Sequence, residues 1–126
     1  MTPKTSDPIL VLMTAANGEE AARLAEMLVG AQLAACVQIM PEIKSIYRWK
    51  GKIERQGEVL LIAKTAVSKF DKLEREVRAL HTYETPEIVA LPFIKGSAPY
   101  LQWLAETLDS GGVDGEPLSR DARSAS

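Results

Sequence analysis

One histidine, one cysteine and a group of aromatic and charged residues along a single β-rich stretch are the side chains of this 126-residue chain that could do chemistry. His81 opens the segment HTYETPE, which ends on Glu87. An imidazole is a common metal ligand, and Glu87 would add a hard oxygen beside it. The same histidine suits a second role, hydrogen bonding at the C-terminus of the helix before it, where a cation is favoured. Cys36 stands between Ala35 and Val37 in an apolar run, with no histidine or basic residue next to it in sequence. A free cysteine in that setting is expected to be buried, inert packing rather than a nucleophile. Tyr47, Trp49 and Tyr83 could wall a ligand cleft or anchor an interface. Lys52, Glu54, Glu58 and Lys64 flank the same stretch. They suit ion pairs between subunits or, alternatively, an anion or small-ligand site, since a buried lysine needs a counter-charge.

Counting removes whole classes of chemistry. A single cysteine excludes an internal disulfide and a four-cysteine zinc or iron–sulfur site. A single histidine excludes a two-histidine metal site inside one chain, though not one assembled by symmetry. There is no GxGxxG, P-loop, HExxH, CxxC or nucleophile elbow, and no base–nucleophile pair, so no enzymatic reaction is expected. The balance of 15 Lys+Arg against 17 Asp+Glu, net −2, argues against unaided nucleic-acid binding. That small excess belongs to residues 109–126, whereas 9–108 is charge-balanced. No apolar run reaches the roughly 18 residues a membrane span needs, and MTPKTSDP lacks the apolar core of a secretory signal. With one unpaired cysteine, a cytoplasmic location and no membrane partner are expected.

The elements that would position these residues can be read in order. Residues 1–8 read as a loose arm, and 109–126, rich in glycine, serine and charge, as a flexible tail. ILVLM at 9–13 reads as a strand buried on both faces. A helix follows, with Asn17 as its cap, Glu20 closing a capping box, and Ala21, Leu24, Leu28 and Ala31 on one face. AACVQIM at 34–40 reads as a strand interrupted by Pro41 and resumed over 43–49. There Ser45, Tyr47 and Trp49 lie on one side and Lys44, Ile46 and Arg48 on the other. The chain reverses at Lys50-Gly51-Lys52 and returns to Thr65, with a possible bend at Gly57. A second helix is expected from Ser68, capped by Ser68 with Asp71, and with i,i+4 pairs Asp71–Arg75 and Glu74–Arg78 outside. EIVALPF forms a last strand, and Ser97 opens a helix with Leu101, Leu104 and Leu108 inward and Trp103 in the core.

This βαββαβ order with a terminal helix predicts an α+β, ferredoxin-like sandwich with helices on one face of a mixed four-strand sheet, one domain over 9–108. The central hairpin is longer than the other strands, so its far half would expose Ile46, Tyr47, Trp49 and Ile53. An exposed apolar ribbon pairs with something, and self-association is expected. An RNA-recognition module shares the topology but stacks bases on aromatics in its central strands, and EVLLIAKT has none.

Four segments in order resemble the CutA family, the divalent-cation tolerance proteins: A-C-V before a proline, S-I-Y-x-W-x-G-K-I-E, E-x-L-L-x-x-K-T and H-x-Y-E-x-P-E-I. The resemblance spans roughly 9–108. It implies a ferredoxin-like homotrimer in the cytoplasm, associated with tolerance to copper and other divalent metals. It also implies, through the likeness of that trimer to the PII signalling proteins, a signalling or scaffold role with a ligand or partner in the intersubunit clefts. Its proposed metal ligands map onto His81 and Glu87, and a cysteine position of some members onto Met13. A thioether there is neutral, suits Cu(I), and is much poorer for Zn(II). Thr82 stands where many members have proline.

Overall fold

The first strand, β1 (Pro8–Ala15), alternates its side chains between two environments. Ile9, Val11, Met13 and Ala15 are buried, while Leu10 and Leu12 are only half-buried. The apolar run therefore does not mark burial on both faces within one chain. One face is covered by helices, and the other is largely left open. This computed structural model describes residues 4–109. The expected tail beyond Asp109 lies outside the described residues. The expected loose arm is tied down where it is described. Ser68 donates its N–H to the Thr5 carbonyl at 2.8 Å, and Val67 donates to Asp7 at 3.0 Å.

Helix α1 (Gly18–Gly30) starts as its sequence demands, the Glu20 N–H donating to Asn17 Oδ1 at 2.9 Å. The reciprocal half of the capping box is displaced by one residue. The Glu20 carboxylate accepts from the Ala16 N–H at 2.9 Å rather than from Asn17. β2 (Cys36–Trp49) and β3 (Lys52–Ala66) form the long hairpin, 14 and 15 residues. Lys50 and Gly51 are its two-residue turn, with φ of 49° and 82°. Both are left-handed, as a hairpin turn matching the twist of its strands requires. Pro41 does not split β2 into two strands. It sits in a bulge between Met40 and Ile43, with Glu42 at φ 55°. Gly57 makes no bend, and pairs regularly with Lys44.

A single 3₁₀ turn (Val67–Lys69) precedes α2 (Phe70–Leu80), and no side chain caps either of them. The expected Ser68–Asp71 capping box is thus absent, and the chain enters the helix through the backbone bonds to Thr5 and Asp7 instead. Of the two expected surface pairs, Glu74–Arg78 is present at 4.0 Å. β4 (Ile88–Pro92) and α3 (Ala98–Asp109) complete the chain.

The sheet order is β2-β3-β1-β4. Every pairing is antiparallel, so the sheet is not mixed as the sequence reading expects. This is the ferredoxin-like arrangement. α1 and α2 cover one face, where Leu24, Leu28, Leu73 and Val77 pack on Val11, Met13, Val59 and Leu61. α3 closes a small second cluster, Leu104 and Leu108 with Ala35 and Ala66, against which Trp103 is half-buried.

The other sheet face carries Leu10, Leu12, Ile62, Val89 and Leu91, with Val89 48% and Leu91 44% exposed. Cys36 shares this face, opposite Lys64, and is half-buried rather than buried as expected. Pairing with β1 begins at Val59, so residues 52–58 of β3 pair with β2 alone. The far half of the hairpin is a two-stranded ribbon, a form barely stable by itself.

Candidate functional site

Where the ribbon leaves the sheet, it meets the loop between α2 and β4. A cleft of about 650 Å³ opens there, its walls including Tyr47, Trp49, Glu58, Tyr83, Glu84 and Glu87. Strand alternation puts Tyr47, Trp49, Gln56 and Glu58 on the cleft side. Glu58 sits at the last position before β3 joins β1 and is 7% exposed.

A directed chain of hydrogen bonds crosses the cleft. The Tyr47 hydroxyl donates to Gln56 Oε1 at 2.6 Å, and Gln56 Nε2 donates to the Tyr83 hydroxyl oxygen at 3.3 Å. The Tyr83 hydroxyl donates in turn to Glu58 Oε2 at 2.7 Å. Each phenol thus spends its proton on the next acceptor, and the chain ends on a carboxylate. Burial, the hydrogen bond to Glu58 and the charges of Glu58, Glu20 and Tyr47 all push the Tyr83 phenol upward, so it stays protonated.

The loop that presents Tyr83 is held from below. His81 has its side chain fully buried, with Nε2 2.7 Å from the Thr14 carbonyl oxygen. Its Nδ1 accepts the Tyr83 N–H at 3.0 Å, which assigns the ring proton to Nε2. Glu20 Oε2 accepts the Thr82 N–H at 2.8 Å and lies 3.7 Å from His81 Nδ1. Burial raises the Glu20 carboxyl. The N–H groups of Ala16 and Thr82, the Thr82 side chain and His81 outweigh it and hold the pKa below the usual 4.5.

The structure thus sorts the sequence-derived candidates. Tyr47, Trp49, Glu58, Tyr83 and Glu87 line one cleft. His81 lies beneath it with both ring nitrogens already engaged, neither a surface group nor a ligand with a free lone pair in this arrangement. Met13 is wholly buried in the main core. Lys52 and Glu54 are exposed on the ribbon, and Lys64 Nζ donates to Gln38 on the open sheet face. Among the described residues no group of three His, Cys, Asp or Glu is placed to hold a metal ion.

Sequence reasoning missed Gln56 as the relay between two tyrosines and Glu20 as the support of the loop. The Asn17–Glu20 capping spacing marks Glu20 as useful, but nothing local announces its reach to Thr82. No helix is long and apolar enough to cross a membrane among the described residues.

The fold is that of a ferredoxin-like α+β protein with an overlong hairpin and a cleft at its base. The chain belongs to the CutA1 divalent ion tolerance protein family, whose model matches residues 9–107. It is 48% identical to the divalent-cation tolerance protein CutA of Thermus thermophilus over 97 residues, 77% of this chain and 94% of that one. It is 46% identical over 101 residues to the chloroplastic CutA of Arabidopsis thaliana, covering 80% of this chain but only 56% of the plant protein. The solved structure of the periplasmic divalent cation tolerance protein CutA from Archaeoglobus fulgidus matches with a TM-score of 0.79 at 42% identity, over 81% of this chain and 99% of that one. Relatives named for chloroplast and periplasm lend the cytoplasmic expectation no support.

Proposed function

We propose that the chain assembles as a homotrimer and takes up divalent cations, copper among them, weakly at clefts completed between subunits. The observation that carries this reading is the lining of the cleft: Glu58, Glu84 and Glu87, with no lysine or arginine lining it among the described residues. Carboxylates attract cations and supply hard oxygen ligands, but the described residues of one chain offer too few converging groups for tight binding. A second copy would have to complete the site. Glu87, exposed at the cleft, is the ligand this reading assigns first. His81 is a positioning residue unless Tyr83 releases Nδ1, and the Met13 thioether stays in the core. Assembly is supported by the apolar ribbon residues Ile46 and Ile53, 64% and 55% exposed, and by the open sheet face.

Calorimetric titration with Cu(II) tests the metal reading on wild type, Glu87→Gln and His81→Ala, with the mass of each followed by light scattering. Loss of binding in Glu87→Gln and weakening in His81→Ala are expected. Equal affinities in all three proteins would overturn it.

The aromatic walls favour a second reading: a trimeric signalling or scaffold protein, in the manner of PII proteins, whose cleft holds a small ligand. Metals alone do not call for Tyr47, Trp49 and Tyr83 around the same space.

A further inference from the structure

We infer that the cleft is built for a small organic cation, an alkyl- or aryl-ammonium group, seated against the free oxygen of Glu58 between aromatic rings. This rests on the small-ligand reading and names its chemistry.

The first argument is what the cleft can offer a guest. Tyr47 and Tyr83 have both given their hydroxyl protons to Gln56 and Glu58. The Tyr47 oxygen and the carboxylates of Glu58, Glu84 and Glu87 remain as acceptors, while the Tyr83 oxygen already accepts from Gln56. Among the described residues no lysine, arginine or histidine lines the space. A guest is therefore favoured if it brings positive charge or donors of its own, whereas an anion would face three carboxylates.

The second argument is Glu58 itself. It is more than nine-tenths buried, and among the described residues the only hydrogen bond to its carboxylate comes from Tyr83, on Oε2. Among the described residues Oε1 accepts no hydrogen bond, and it is open to the cleft that Glu58 lines. A carboxylate that is mostly buried yet keeps one oxygen open to an aromatic cleft offers a cation a fixed, poorly hydrated counter-charge.

The third argument is the rings. Aromatic faces attract cations, and an apolar ammonium sheds its water more readily than a metal ion does. One ring of the cleft already holds such a contact, since Lys50 Nζ stands 5.7 Å from the centroid of Trp49. The protein's own ammonium thus samples the rim of the site that a ligand would enter. The volume, about 650 Å³, suits a small molecule and far exceeds the needs of a bare ion.

The test uses the full chain and three probes that share a benzyl group but differ in charge: benzyltrimethylammonium, benzyl alcohol and benzoate. The quaternary amine has no lone pair and cannot act by chelating metal. Binding is read by calorimetry and by the indole N–H signal of Trp49. The cation alone is expected to saturate and to move that signal. Trp49→Phe should weaken it about threefold and Glu58→Gln about tenfold, with unchanged mass by light scattering. If benzyl alcohol or benzoate moves the Trp49 signal equally well, the charge inference fails while the small-ligand reading stands. If none of the three does, both fail. Cation binding that ignores both substitutions would place it elsewhere and overturn the inference. The probe series on unmodified protein decides the charge question even if a variant fails to fold.

Discussion

His81 Nε2 lies 2.7 Å from the carbonyl oxygen of Thr14, fastening the residue after α2 to the end of β1. With Nδ1 taking the Tyr83 N–H, a single ring fixes both the floor of the cleft and the approach of Tyr83 to Glu58. Replacing His81 by Ala leaves a backbone N–H and a carbonyl without partners in a buried setting. A loss on the order of 1–3 kcal/mol is expected. Urea unfolding measures it, and hydrogen exchange at the Tyr83 amide locates it. An unprotected Tyr83 amide in the variant, with the sheet still protected, is the expected pattern. Unchanged protection would show that the ring does not hold the loop.

Glu20 gives the same junction a pH dependence. Its carboxyl is lowered below 4.5 in the folded protein because the N–H donors and His81 outweigh burial. A carboxylate with a depressed folded pKa binds its proton more readily when the chain unfolds. Its contribution is complete above the unfolded value near 4.5 and is lost as the pH falls through the lower folded value. Denaturation midpoints taken from about pH 6 down to about pH 3 should therefore fall in wild type. In Glu20→Gln they should start lower and change less over that window. A variant curve parallel to wild type would remove Glu20 as the source.

The two glycines of the hairpin should behave oppositely. Gly51 sits at φ 82°, where a side chain is strained although nothing lies within 4 Å of an added Cβ. Gly51→Ala should cost about 1 kcal/mol, and Gly51→Asn less. Gly57 is ordinary strand opposite Lys44, also with open space around it. Gly57→Thr should be neutral or stabilising, by reducing the freedom of the unfolded chain and adding a strand-forming side chain. Thermal melts of the three variants check this, and a large loss in Gly57→Thr would contradict the regular pairing.

Most of the fold was legible because its signals are local. The spacing of Leu24 and Leu28 with Ala21, and of Leu73 with Val77, gave the helical faces, and Lys50-Gly51 gave the turn. What the sequence misjudged depends on partners far along the chain. Pro41 reads as a break, but a bulge absorbs it because β3 continues to pair on both sides. Ser68 reads as a cap, but Thr5 and Asp7 supply the local bonds. The candidate site was half legible. Tyr47, Trp49, Tyr83 and Glu87 stand out by type, and they do share a cleft. His81 also stands out by type, yet its role is set by Thr14 and Tyr83, and only the folded chain shows both its nitrogens in use. Gln56 and Glu20 carry no mark of the contacts they make across 27 and 62 residues of sequence.

The exposed ribbon and sheet face lead to the last prediction. Ile53 is 55% exposed and pairs with Arg48 on the side of the ribbon away from Tyr47 and Trp49. Leu91 is 44% exposed on the open sheet face. In a protein that stays monomeric, an aspartate at either place would leave the mass unchanged and cost on the order of 1 kcal/mol through lost strand propensity and apolar contact. In an assembly, each would bury a charge against apolar surface of another copy and weaken association far more. Light scattering at micromolar concentration should therefore give a trimer mass for wild type and a lower mass for Ile53→Asp and Leu91→Asp. The melting temperature should also be lower in the variants than in wild type at equal concentration. Because neither residue lines the cleft, binding of a probe by the dissociated variants reports whether a single chain suffices for the site. A monomeric wild type, or variants with unchanged mass and melting, would show that these surfaces are not where copies meet.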